Sequence, residues 1–176
     1  MKATAVFPAL VLLIACSTPS PSSAPSATAE PTLEATSQVE RHTVIPGSNP
    51  VDLYLSLEQR GFSVEKQFGS EMNSWTCTQD FGSVKYTTEV FGPEVDVTGS
   101  VRATVLADGV NKSAQVGADF LSFVASMPYE DAQPQKAHDW VVEHLNEDSA
   151  NITIGSVRFL LRAPTDMMRM LLIDPA

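Results

Sequence analysis

The chain is short of cysteine, of basic residues and of long apolar runs, and each shortage excludes something. Two cysteines, Cys16 and Cys77, cannot staple a disulfide-scaffold domain. Eleven Lys and Arg against 21 Asp and Glu give the 176 residues a formal net charge of −10. So acidic a chain lacks the basic face that a nucleic-acid backbone or an anionic lipid surface requires of its main partner. No apolar run approaches the roughly 20 residues of a membrane-spanning helix. There is no G-x-G-x-x-G and no P-loop, and neither a G-x-S-x-G elbow nor an S-x-x-K motif occurs in its strand–turn–helix context.

What is present at the N-terminus is an address. Met1-Lys2 supplies one positive charge, and Ala3 to Ala15 then carry none. A stretch of about 13 apolar residues suits a signal-peptide core and is too short to span a bilayer. It closes on Leu13-Ile14-Ala15-Cys16. These four residues resemble the lipobox of bacterial lipoproteins. The resemblance implies that the Cys16 thiol is linked to diacylglycerol. It also implies that residues 1–15 are removed as a signal peptide and that Cys16 becomes the mature, acylated N-terminus. One acyl chain, a palmitate for instance, gives only marginal membrane residence. Two or three hold a protein stably, at roughly 0.8 kcal/mol per buried methylene. Ser17 follows the cysteine. In a diderm envelope of the enteric type, a residue other than Asp there implies sorting to the outer membrane, facing the periplasm. In a monoderm cell the anchor lies in the outer leaflet of the cell membrane.

Residues 17–38 are Ser, Thr, Pro or Ala at 18 of 22 positions. Such a segment buries no apolar surface and reads as a disordered or polyproline tether. Its reach lies between roughly 25 Å as a coil and roughly 65 Å extended. Loss of residues 1–15 takes Lys2 with it and leaves a net charge of −11. An acidic domain held off an anionic surface by a spacer is electrostatically consistent. The division is therefore signal peptide 1–15, lipidated Cys16 with tether 16–38, and one domain 39–176.

In that domain Asn49-Pro50 opens a helix over about 50–60, with Asp52 in the first turn and Gly61 as its left-handed end. Four alternating stretches follow. They are Phe62–Phe68, Ser74–Gln79, Val84–Val90 and a long fourth run, in which Val95, Val97, Gly99, Val101, Ala103 and Val105 share one face. Ser113 caps a second helix with an apolar stripe through Val116, Phe120, Phe123, Val124 and Met127, and Pro128 ends it. A third helix starts near Pro134 and carries Ala137, Trp140, Val141, His144 and Leu145 on one side. Ile152–Leu161 and Met168–Ile173 read as two last strands. The order α-β-β-β-β-α-α-β-β predicts an α+β domain: one antiparallel sheet of about six strands with three helices on one face.

Candidate chemistry is sparse. His138 and His144 are six residues apart on one helix, about 240° around it, and cannot ligate one metal from there. His144 lies on the apolar stripe and His138 on the surface. Glu143, Glu147, Asp148 and Asp139 read as a solvated helix face, since no D-x-D-x-D-G loop accompanies them. Cys77 shares a strand face with Trp75 and reads as a small buried hydrophobe, an intermolecular disulfide being the alternative. Arg158, Arg162 and Arg169 cluster in the C-terminal strands. Arg158 and Arg162 share a face, where they would receive a carboxylate or phosphate or pair with the acidic surplus. Those two arginines and Trp75 are the candidate binding residues, and Cys16 is the lipid-attachment residue. No cofactor and no metal site is expected.

The reading is a non-catalytic, membrane-anchored lipoprotein of the bacterial cell envelope with a binding or accessory role. Its partner would be an envelope protein or a small ligand, met through the free sheet face or the loop at 107–113. A small-ligand carrier with an enclosed cavity, and a small extracytoplasmic enzyme, are the alternatives. Replacing Cys16 by Ser should leave an unprocessed precursor that takes up no labelled palmitate. Continued acylation after Cys16→Ser would refute the lipobox argument.

Overall fold

In a computed structural model the described residues are 43–109 and 112–176. The lipobox Leu13–Cys16, the Ser/Thr/Pro/Ala segment and residues 110–111 of the loop at 107–113 lie outside them. Among the described residues three helices and seven strands follow one another as α1 (Pro50–Gln59), β1 (Ser63–Phe68), β2 (Asn73–Asp80), β3 (Val84–Gly92), β4 (Ser100–Ala107), α2 (Lys112–Ala125), α3 (Pro134–His144), β5 (Ser149–Ile154), β6 (Val157–Thr165) and β7 (Met168–Pro175). The domain is α+β, with one antiparallel sheet in the order β1-β2-β3-β4-β7-β6-β5. Two meanders, β1–β4 and β5–β7, are joined by the pairing of β4 with β7.

The local chemistry of α1 follows its sequence. Asn49 accepts the Val51 N–H at 2.9 Å, and Pro50 occupies the first helical position, where no N–H is missed. Gly61 reverses the chain at φ +89°, with its N–H donating to Glu58 O and the Phe62 N–H to Leu57 O.

Three of the expected element bounds need correction. The run Ile152–Leu161 is two strands, because Gly155-Ser156 makes a two-residue hairpin with Ile154 opposite Val157. Gly155 stands at φ +58°, which a side chain would resist. That hairpin raises the sheet from about six strands to seven. Second, β4 begins only at Ser100. Residues 93–99 form a turn in which Glu94 bridges Val97, and Val95 is exposed. Gly92 permits this, since the Val97 carbonyl occupies the space where a Cβ would stand. Third, Ser113 lies inside α2, and its hydroxyl donates to Asp166 O at 2.6 Å.

Register decides what the helices cover. Trp75, Val90, Val101, Ile173 and Phe159 form one continuous row across five strands. The next row is Cys77, Thr88, Ala103, Leu171, Leu161 and Ala150. Both rows are buried. Tyr54 of α1 stacks on Trp75, Phe120 of α2 meets Tyr86 with ring centres 5.0 Å apart, and Trp140 of α3 packs on Phe159. Gly117 lets α2 approach closely, since a Cβ there would lie 3.2 Å from Val105 Cγ2.

Arg169 belongs to this covered side too, opposite Val105, and is 6% exposed. Its place corrects the expected cluster of three C-terminal arginines. Nε donates to Leu145 O at the end of α3, and Nη1 donates to Ser113 Oγ, Thr165 O and Met168 O. The guanidinium thus ties the start of α2, the end of α3 and the β6–β7 turn together.

Two stability outcomes are expected in urea unfolding. Arg169→Met strands those acceptors and should cost on the order of 3 kcal/mol. Thr88 Oγ1 is buried in the sheet centre with no hydrogen-bond partner. Thr88→Val, which keeps the shape and removes the orphan hydroxyl, should therefore stabilise the domain by about 1 kcal/mol.

Candidate functional site

The helical cap at Gly61 does two things at once. It drops Phe62 into the core and leaves Arg60 at the rim, exposed, with its carbonyl accepting from Gln79 Nε2 at 3.2 Å. Across from it, the β2–β3 turn is pinned by Asp80, whose carboxylate accepts the Gly82 N–H at 2.7 Å. That turn holds Phe81 outward, 63% exposed, with its ring edge-on to Tyr86. The third wall is α2, whose spacing brings Val116, Asp119, Phe120 and Phe123 to the same side.

These walls enclose an open cleft of about 300 Å³. Its aromatic lining is one connected group. Phe62 stacks on Phe120 at 5.6 Å, and Tyr86 touches Phe62, Phe81 and Phe120. The Tyr86 hydroxyl donates to Val116 O at 3.1 Å. Burial raises its pKa, and the nearby Asp119 charge raises it further. Arg60 lies over the Phe123 ring with 3.6 Å between guanidinium carbon and ring centre, a cation–π contact.

Arg60, Asp119 and Phe123 also border an adjoining hollow lined by Ser122, Ser126 and His138. There His138 Nδ1 lies 3.1 Å from Asp139, whose carboxyl is held below its usual pKa first by that hydrogen bond and then by one from Gln135. The cleft therefore runs from an apolar, aromatic end at Phe81 to a polar end at His138. Pockets of this size and lining are the usual form of small-molecule sites.

The residues singled out in the sequence lie elsewhere. Arg158 and Arg162 are exposed and project from β6 on the face opposite the core rows, as their alternation required. Arg158 pairs with Asp174 at 3.6 Å and borders a groove with Met72 and Phe91. Trp75 is 2% exposed, between Tyr54 and Phe68, so its indole offers no surface to a ligand. Cys77 is fully buried. Burial first, and the Glu58 charge second, push its thiol up to about 12, against a smaller opposing effect of Lys66. His144 stacks on Trp140, and its Nδ1 donates to the Trp140 carbonyl at 2.8 Å.

Sequence reading missed Arg60, Asp119 and Phe81 as site residues. Phe62, Tyr86, Phe120 and Phe123 were legible only as apolar positions of strands and helix. The one available signal was an aromatic residue placed inside a turn, Phe81-Gly82-Ser83. Compared with known proteins, the chain matches no family model, no curated protein and no solved structure.

A thiol at about 12 is almost wholly protonated at pH 8, with thiolate on the order of one part in ten thousand. A maleimide should leave Cys77 unmodified in the folded full chain and label it fully in 6 M guanidinium chloride, as read by peptide mass mapping. Labelling at equal rates in both would show that this strand opens freely.

Proposed function

We propose that the chain is a lipid-anchored binding protein of the bacterial cell envelope, without a catalytic role of its own, and that recognition takes place in the cleft between α1, α2 and the β2–β3 turn. Anchoring rests on the resemblance of Leu13–Cys16 to a lipobox. Acylated Cys16, a Ser/Thr/Pro/Ala-rich tether and a domain from residue 39 would place that cleft off the membrane surface, at the outer membrane in a diderm or on the cell membrane in a monoderm.

The single observation that carries the binding reading is the cleft itself: a solvent-open, aromatic pocket with one arginine and one aspartate at its rim. Of the groups with most chemical reactivity, Cys77 and His144 lie away from it, and His138 at its polar end is engaged with Asp139. Cys77 is buried in the sheet with its thiol pushed up to about 12, and the Nδ1 of His144 is committed to a backbone carbonyl.

A second reading has its own observation. On the sheet face away from the core rows, Leu106 is 42% exposed, with half-buried Met168, Met170 and Leu172 beside it. Apolar side chains in that setting suit a protein partner.

Photo-cross-linking residues placed singly at Phe81 and Leu106 in the intact, membrane-inserted protein separate the two. Capture of a small envelope component at position 81 supports the cleft. Capture of a protein at position 106 alone moves recognition to the sheet face. Empty results at both positions would overturn the binding reading.

A further inference from the structure

The geometry points to a ligand class for the cleft: a small amphipathic carboxylate, with an aromatic or short acyl body among Phe62, Phe81, Tyr86 and Phe120 and its carboxylate on the edge of Arg60. This deepens the proposed function and rests on it.

Phe81 stands 63% exposed against Tyr86, so a flat or flexible apolar body placed there gains contact with both rings and removes an exposed aromatic surface from water. The neighbouring rings, Phe62 and Phe120, are already stacked on each other and form a rigid floor. The free surface lies toward Phe81.

The polar end decides the sign of the head group. Ser126 donates to Ser122 O at 2.8 Å, Ser122 donates to Asp119 O, and His138 is engaged with Asp139. Arg60 differs from them. Its guanidinium carbon is 3.6 Å from the centre of the Phe123 ring, a separation at which the planar group lies flat on the ring. Stacking uses the face of the guanidinium and leaves its edge, which carries the N–H donors, directed sideways. Among the described residues no carboxylate forms an ion pair with it. A planar fork, immobilised by stacking and with its donors free, is matched in geometry and charge by a carboxylate held by two parallel hydrogen bonds.

Asp119 borders the same cleft and disfavours an anion. It therefore sets the alternative. If Asp119 rather than Arg60 chose the ligand, the head group would be an ammonium, and the acidic surplus of the chain would reinforce that choice. The two cases differ in sign, so one pair of probes separates them.

The test uses the full-length chain with Cys16→Ser in detergent, which removes the lipid and leaves the described residues unchanged. Binding of 3-phenylpropionate and of 3-phenylpropylammonium is measured by ligand-observed NMR and calorimetry at pH 7. The propionate is expected to bind at least about tenfold tighter than the ammonium, as the loss of a charge-assisted hydrogen-bond pair implies. Arg60→Gln, at an exposed position where folding is not at risk, should weaken the propionate about tenfold. Phe81→Ser should weaken both probes alike, and Asp119→Asn should leave the propionate unchanged or tighter.

Equal binding of the two probes, tighter binding of the ammonium, or indifference of the propionate to Arg60→Gln would overturn the assignment. If neither probe binds while the photo-probe at position 81 still captures an endogenous molecule, the ligand class fails and the binding role stands. If both experiments are empty, the binding role fails with it.

Discussion

Pairing of β4 with β7 is the contact on which the rest of this domain depends. Val101–Leu106 lies against Met168–Ile173, more than sixty residues away in sequence, and it alone fuses two local meanders into one sheet. Closing so long a loop costs chain entropy before any contact compensates it. Compensation comes from the rows that the pairing completes. Val101 meets Ile173 and Ala103 meets Leu171, each with no more than 1% of its surface exposed. The same pairing sets Arg169 opposite Val105, where its guanidinium gathers the loose ends of the two helices that bridge the meanders. A buried arginine is a costly residue unless its donors are satisfied. Here Nε and Nη1 bond to three main-chain carbonyls and one hydroxyl, so the charge works as a fastener between elements that local propensity leaves unconnected.

Small residues in the second row have a related role. Cys77, Thr88 and Ala103 line the middle of the sheet, and Gly117 faces Val105 from the helix side. Together they let the helix layer sit close to the strands. Bulkier aromatic residues then collect at both ends of the layer: Trp75 with Tyr54 under α1, and Trp140 with Phe159 under α3. At the open corner beside α1 and α2 the aromatic packing ends at an exposed ring, Phe81. The cleft is a consequence of how this layer terminates. The capped end of α1 and the pinned β2–β3 turn hold its two rims apart.

Helix α1 was readable to within a residue, because Asn49, Pro50 and Gly61 each do a local job that needs no tertiary partner. Alternation in Trp75–Gln79 and Val84–Val90 correctly gave strand and face. It misled at Val95–Gly99, where the period of two persists through a turn that only the close approach of Val97 to Gly92 explains. The Gly155-Ser156 hairpin carried a proper turn signal, but it sat inside an apolar run that also reads as one continuous strand. Arg169 was grouped with Arg158 and Arg162; on β7 it alternates onto the side of Leu171 and Ile173, but only the pairing of β7 with β6 and β4 sets that side against the helices. Of the cleft only Phe81, an aromatic residue inside a turn, stood out. The lining comes from three separated segments, 57–62, 79–86 and 116–123, and every other aromatic residue in it satisfies the local pattern of an ordinary core position.

By itself the sequence determined the acidic charge, the lipobox-like Leu13–Cys16, the alternation that makes one sheet face apolar, and the caps that start and stop α1. All of these act over a few residues or follow from composition, so chain order suffices to show them. Only tertiary structure decided the strand order, the burial of Arg169 and Trp75, and the meeting of Arg60, Phe81, Asp119 and Phe123 around one opening. Those depend on which distant segments pair and how closely helix and sheet approach. That is set by packing over the whole core, a quantity no local pattern carries.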